Sequence, residues 1–185
     1  MWPSFKMSVF RVGLSRPLSR LSSTGASLSY SVNELRELWQ TDSLVAGTTI
    51  YSAVPNDVRP EWAANVLNCC CEQVASAPQA VLRILELSDD AENWSKAHDA
   101  FSAVRSLTLT AEQNSDAERR GKLLLYVAEN AAKVVYNASG SAAPFDADSG
   151  AWLVRSAKQF SDACNSGEFH ELLWSVTVGH SDIAG

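Results

Sequence analysis

Three histidines, four cysteines and one aspartate-rich loop are the residues of this chain whose types invite chemistry. Cys69, Cys70 and Cys71 are consecutive, so on a helix their side chains point in three directions about 100° apart. Side chains that diverge in this way cannot close a tetrahedral metal site with Cys164 alone, and no Cys-x-x-Cys spacing occurs. Three adjacent thiols also suit a reducing compartment, which makes the Asn-x-Ser matches at Asn93 and Asn137 chance occurrences. The reading they support is small apolar residues on a helix packing surface, where unpaired cysteine is usually found.

Asp146-Ala-Asp148-Ser-Gly150 has the opening of a calcium loop, with alternate carboxylates before a turn glycine. Counted from Asp146, Gly150 falls one position too early, and Ala157 stands where the bidentate glutamate is required. No metal site is expected there. The same letters serve as a connector: Asn137 and Gly140 suit the left-handed exit of one helix, Pro144 fixes a bend, and Asp148 or Ser149 caps the next. Phe145 is an aromatic in a loop, and its expected role is a hydrophobic staple onto the following helix.

The loop joins two helices, so the end of one and the start of the other lie at the same end of an antiparallel bundle. Tyr136, Phe145 and Trp152 are then neighbours. Trp94 opens its own helix at that end, with His98 one turn further on the same face. Trp39 and Trp62 join them if Pro78 separates two helices. With Asp146 above His98, this is a polar pair in an aromatic mouth, the form a small ligand pocket takes. Trp94, His98, Tyr136, Phe145, Asp146 and Trp152 are therefore the candidate ligand-binding residues. The opposing reading is a capped bundle end in which tryptophans fill the taper and His98 sits exposed beside Asp99. A histidine and an aspartate without a placed third group do not make an active site, so no residue is assigned as catalytic.

Other catalytic arrangements are missing from the sequence. "RRGKLLL" lacks the upstream glycine and the Ser or Thr of a phosphate loop, and no GxGxxG, GxSxG or HExxH occurs. His170 precedes an acid on a short helix, and His180 lies in a tail expected to fray. No cofactor is implied.

The elements that must position these residues read as helices. Ser31-Val-Asn-Glu34 is a capping box that starts a helix at Val32, with Leu35, Leu38 and Trp39 on one face. "TTIYSAVPND" is too mixed for a helix. Asn56 or Asp57, followed by Pro60, marks the next start, after which Trp62, Val66, Cys70 and Val74 recur every four residues. Pro78 breaks or kinks it, and Val81, Leu82, Leu85 and Leu87 continue to Ser88. Trp94, Ala97, Phe101, Val104 and Leu107 give the strongest amphipathic pattern, over Asp90 to Gln113. A cap at Ser115 opens a helix running to Tyr136. Leu153, Ala157, Phe160 and Cys164 define another, ended by Asn165-Ser-Gly167, and Phe169, Leu172, Leu173 and Val176 a last short one. The expected fold class is all-α, an antiparallel bundle of five to seven helices with strands at best marginal.

Hydrophobic residues make up 46% and charged residues 19% of the 185, a globular composition with no apolar run near the roughly 18 residues of a membrane span. No transmembrane segment is expected. Charge is uneven along the chain. Lys6, Arg11, Arg16 and Arg20 precede the first acid at Glu34, and the remaining 11 basic and 21 acidic residues leave the body at −10. That balance argues against a nucleic-acid partner.

The basic segment is rich in serine, and Phe5, Val9, Val12, Leu14, Leu18 and Leu21 set an apolar stripe beside its arginines. Arg11 and Arg16 interrupt the apolar core that a secretory signal needs. The pattern resembles a mitochondrial presequence, with a cut expected near Ser22 to Ser27; a chloroplast transit peptide is the alternative. The expected organisation is a transit peptide over residues 1–30, a helical domain over 31–178 and a flexible tail over 179–185.

Two functions follow from these readings. Missing catalytic motifs, an acidic body and five tryptophans beyond the presequence point to a non-catalytic soluble protein of the mitochondrial matrix. It would act through a protein partner, as an accessory or assembly subunit does. The alternative is a small-ligand-binding or enzymatic bundle using the aromatic end.

Overall fold

The computed structural model describes residues 30–180, and these are all-helical, with no strand among them. Eight α-helices follow in order: α1 (Val32–Thr41), α2 (Ser43–Ala53), α3 (Arg59–Cys71), α4 (Gln79–Ser88), α5 (Ala97–Thr110), α6 (Asp116–Ala138), α7 (Ser149–Cys164) and α8 (Gly167–Val178). A single 3₁₀ turn, Ala91–Lys96, leads into α5. The transit peptide expected over residues 1–30 and most of the tail lie outside the described residues. None of the described helices is long and apolar enough to cross a membrane.

Local sequence signals account for several boundaries. The capping box of Ser31 and Glu34 forms at α1, and the cap at Ser115 proves to be a second one with Glu118 at α6, each pair exchanging side-chain and backbone hydrogen bonds. Gly140 takes a φ of +69° just beyond α6, and Asn165 ends α7 in the left-handed region at φ 51°. Pro78 does separate two helices, standing at the N-cap of α4.

The helix count exceeds the expected five to seven because "SLVAGTTIYSA" is helical after all. Asp42 ends α1 and also caps α2, its carboxylate accepting from the Val45 amide at 3.3 Å. Ala46, Gly47, Ile50 and Tyr51 are buried, and α2 packs against α7. Tertiary burial overrides the weak local pattern. Two expected caps also differ. Val58, not Asn56 or Asp57, precedes α3 without a side-chain cap bond, and Asp148 precedes α7 likewise. On α5 the buried line is Ala97, Ala100, Val104 and Thr108, while Leu107 stays exposed.

The core runs along α6, which packs against α3, α4, α5 and α7. From Leu124 to Val135 it is buried on most sides, with Ala128, Ala131 and Ala132 admitting neighbouring helices closely. Trp39 and Trp62 are fully buried elsewhere in the core. The Trp62 Nε1–H donates to the Thr177 carbonyl at 2.9 Å, fixing α3 to α8.

Candidate functional site

The loop between α6 and α7 is held from both sides. Asn137 Oδ1 accepts from the Phe145 amide at 2.7 Å, and its Nδ2 donates to the Phe145 and Asp146 carbonyls at 3.4 Å each. Tyr136 Oη and Ser141 Oγ share a hydrogen bond at 2.7 Å, and Ser149 Oγ donates to the Asp146 carbonyl at 2.5 Å.

Phe145 folds back, although not onto α7 as the staple expected of it. Its ring stacks on His98 at 5.7 Å and 13°, meets Phe101 at 4.7 Å, and meets Tyr136 edge-on at 5.2 Å. Asn137 sets this direction by tying the Phe145 backbone to α6. The structure thus brings together His98, Tyr136 and Phe145 and adds Phe101.

The other candidate residues lie apart from that cluster. Trp94, in the 3₁₀ turn, donates from Nε1 to the Ser88 carbonyl at 3.1 Å and is half-buried. His98 has Asp99 as its carboxylate neighbour, at 3.8 Å, and no bond joins it to Asp146. Trp39 rings with His170 and Trp174, and Trp62 with Tyr51, so neither joins the aromatic group.

Asp146 and Trp152 instead line a cleft of about 380 Å³ between α5, α6 and α7. Two stripes at helical spacing build it: Tyr126, Glu129, Asn130 and Lys133 from α6, and Trp152, Arg155, Ser156 and Gln159 from α7, with Arg105 added by α5. Asn130 ties the walls together, its Nδ2 donating to the carbonyls of Tyr126 at 3.0 Å and Trp152 at 3.3 Å and to Ser156 Oγ at 3.3 Å. These residues escaped the sequence reading, which followed the apolar faces. The signal was present in the polar residues recurring at three, four and seven on α6.

The electrostatics of the cleft are unbalanced in detail. Glu129 is only 3% exposed. Its Oε2 accepts from Arg105 at 3.0 Å, whereas Oε1 is buried with no hydrogen-bond partner among the described residues. Lys133 Nζ donates to Asn130 Oδ1 at 3.3 Å and lies 5.4 Å from the Phe101 ring centroid. Burial pushes the Lys133 ammonium below its ordinary range, and Arg105 adds to this, against the opposing charges of Glu129 and Asp146. The Arg155 guanidinium sits 5.3 Å from the Trp152 ring centroid. Neither Lys133 nor Arg155 has a carboxylate within salt-bridge distance among the described residues.

A second polar cluster joins α1, α7 and α8. His170 Nδ1 lies 3.1 Å from Ser161 Oγ, its Nε2 meets Gln40, and its ring tilts against Trp39 at 4.4 Å. Both ring nitrogens are engaged and Ser161 is 2% exposed, so the arrangement serves as a helix clamp. Lys158, nearly buried beneath it, holds both oxygens of Asp162 at 2.6 and 2.8 Å. His180 also departs from the frayed tail expected of it. It lies against α3, with Nε2 3.5 Å from Asn65 Nδ2 and 4.0 Å from Glu61 Oε1.

Cys69 and Cys70 are buried and Cys71 is half-buried. Burial pushes the thiols of Cys69 and Cys71 up to about 11, with Glu72 adding to it, and holds Cys70 well above its ordinary value, with its three fellow thiols adding to it. No group of three or more His, Cys, Asp and Glu side chains converges to hold a metal among the described residues.

The fold and cleft define an all-helical protein with a charged, aromatic-rimmed depression. No protein family, curated protein or solved structure matches the chain.

Proposed function

We propose that the protein is a non-catalytic helical protein of the mitochondrial matrix that works by binding another protein, as an accessory or assembly subunit does. In this reading its helices form an antiparallel bundle behind a cleaved transit peptide. The supporting observation is the rim of the α5–α6–α7 cleft. Tyr126 and Trp152 keep 38% and 40% of their surface exposed there, with Arg155 over the tryptophan and Arg105 alongside. Large aromatics and arginine are the residues that carry most of the energy at protein interfaces, and an aromatic left in water gains most by being covered. The acid-free segment bearing Lys6, Arg11, Arg16 and Arg20 supports the matrix address, with the chloroplast as the alternative.

The test is to tag the chain at its C-terminus and cross-link it in isolated mitochondria. Partners recovered by the native chain are then compared with those of a Tyr126→Ala, Trp152→Ala variant of equal melting temperature. The expected result is loss of a specific partner from the variant; equal recovery overturns the reading. N-terminal sequencing of the same material should find a start between Ser22 and Tyr30, and intact Met1 on organelle-resident protein overturns the address.

Glu129 favours a second reading, a small-ligand-binding bundle. A buried carboxylate oxygen without a donor is costly, and a ligand in the adjoining cleft would supply one. Of the residues first singled out, Asp146 and Trp152 line this cleft, while His98, Tyr136 and Phe145 order the loop beside it.

A further inference from the structure

We infer that the α5–α6–α7 cleft takes a small zwitterion of the amino-acid type, with its ammonium group on Glu129 and its carboxylate between Lys133 and Arg155. This rests on the ligand-binding reading and names its chemistry.

The cleft is short of partners of both signs. Glu129 Oε1 can only accept, and it accepts from nothing among the described residues. Asp146 adds a second carboxylate on an exposed loop position, with no side-chain hydrogen bond or ion pair among the described residues to occupy it. Lys133 can only donate, and its sole hydrogen-bond partner among the described residues is the Asn130 amide oxygen. Arg155 spends its guanidinium on the Trp152 ring. A simple anion would leave Glu129 Oε1 unanswered, because Arg105 occupies only Oε2, and a simple amine would leave Lys133 and Arg155 without an anion. A ligand with both groups answers both.

Size and net charge narrow the class further. A volume of about 380 Å³ lies at the small end of ligand clefts and holds a free amino acid with water to spare. Arg105, Lys133 and Arg155 against Glu129 and Asp146 leave one positive charge in excess, which favours an acidic amino acid of net charge −1. Lys133 lines the cleft beside Glu129 and is held by one hydrogen bond among the described residues, so it is the side chain that turns toward the ligand carboxylate on binding. Trp152 offers an apolar wall for the methylene portion of the ligand.

The experiment uses the purified full chain, titrated by calorimetry with each common L-amino acid up to about 10 mM, beyond the weak end of ordinary ligand affinity. Glutarate is the probe that lacks the ammonium, and putrescine the probe that lacks the carboxylate. The expected result is saturable binding of L-glutamate or L-aspartate, with glutarate and putrescine each roughly ten-fold weaker or more, as one unmade charged hydrogen bond requires.

Glu129→Gln and, independently, the half-exposed Arg155→Gln should each weaken that binding by about the same factor without a matching loss of melting temperature. Glutarate or putrescine binding as tightly as any amino acid overturns the zwitterion while leaving the cleft a ligand site. No binding by any of the probes overturns both, as does strong coupling between Glu129→Gln and Lys133→Met in unliganded stability, which would make Lys133 the internal partner of Glu129. Binding that neither variant alters places the ligand elsewhere and overturns the inference too.

Discussion

The ring of Tyr51 fills the space that a side chain on Gly150 would need. A Cβ built there would stand 2.1 Å from Tyr51 Cδ2 and 2.2 Å from Cγ, far inside van der Waals contact. The glycine that suggested a calcium turn therefore has a packing origin: it admits α2 against the start of α7. Gly47 does the same from the other side, where a Cβ would come within 2.8 Å of the Ala151 carbonyl. Arg59 completes this corner, its guanidinium 4.2 Å from the Tyr51 ring centroid and donating to the Val54 and Tyr51 carbonyls.

Replacing Gly150 by Ala should destabilise the protein by about 1–3 kcal/mol, the usual range for overpacking a filled site. Tyr51→Ala in the same chain should make the Gly150→Ala change far less costly, because the clash is with that ring. Gly121 is the control. It lies inside α6 with nothing within 4 Å of a built Cβ, so Gly121→Ala should stabilise by about 0.5–1 kcal/mol. Urea unfolding of the four variants measures all three effects, and equal losses at positions 150 and 121 would remove the packing argument.

Phe145 and Asp146 are adjacent and should respond in opposite degrees. Phe145 touches three rings from two helices while remaining partly exposed, so Phe145→Ala should cost about 2 kcal/mol, below the roughly 3–5 of a fully buried phenylalanine. Asp146 has an exposed side chain, and its structural hydrogen bonds run through its carbonyl, so Asp146→Asn should change stability by under about 0.5 kcal/mol. Hydrogen exchange supplies the second readout. The Phe145 amide donates to Asn137 and should be protected in the native chain, and Asn137→Ala should release it.

Helix existence was legible wherever burial repeats on one face and a side chain caps the end, as at Ser31 and Ser115. It was not legible at Ser43–Ala53, where Ser43, Thr48, Thr49 and Ser52 interrupt the apolar residues and no single face stands out, so its helicity depends on α7 covering it. The candidate site was legible in part. Chain connectivity alone places Tyr136, Phe145 and Trp152 near one another, but the facing of Phe145 depends on Asn137, whose bonds across the loop have no local signature. Trp152 turns away from the aromatic group because α7 spends its other faces on Leu153, Val154 and Ala157, which are buried. The cleft was missed because its walls are polar stripes, and polar residues at helical spacing usually mean a solvated face.

The cysteines should be slow to react until the chain unfolds. With Cys69 and Cys71 pushed up to about 11, only about one thiol in a thousand at these positions is ionised at pH 8, and the thiolate is the reactive form. Cys70 is fully buried and held well above its ordinary value, and burial also raises Cys164. Iodoacetamide labelling at pH 8 should therefore be much slower in native protein than in urea, with Cys70 last. Among single alanine replacements Cys70→Ala should cost most, about 1–2 kcal/mol, and Cys71→Ala least. Rapid native labelling at Cys70 would contradict its placement between α3 and the core.

His170 should make the protein lose stability as the solution is acidified through the histidine range. Burial lowers its pKa from the ordinary 6.5, and Lys158 and Arg36 lower it further against Asp162 and Glu171. The native state therefore binds a proton at this ring less readily than the unfolded chain does. The contribution is fully present above about 6.5 and is lost as pH falls from there through the depressed native value, because protonation then favours the unfolded state. Protonation would also end the ability of Nε2 to accept from the Gln40 amide and place a charge against Trp39. His170→Gln cannot titrate and keeps a polar group at the same place. The melting temperature of the native chain should fall relative to this variant between about pH 7.5 and pH 5.5. Glu34 shifts the other way, held below its ordinary 4.5 by the Ser31 amide and hydroxyl, so its contribution disappears only in stronger acid and does not confuse the comparison. Parallel melting curves for native chain and variant across that interval would show that His170 does not titrate between the folded and unfolded states as its burial requires.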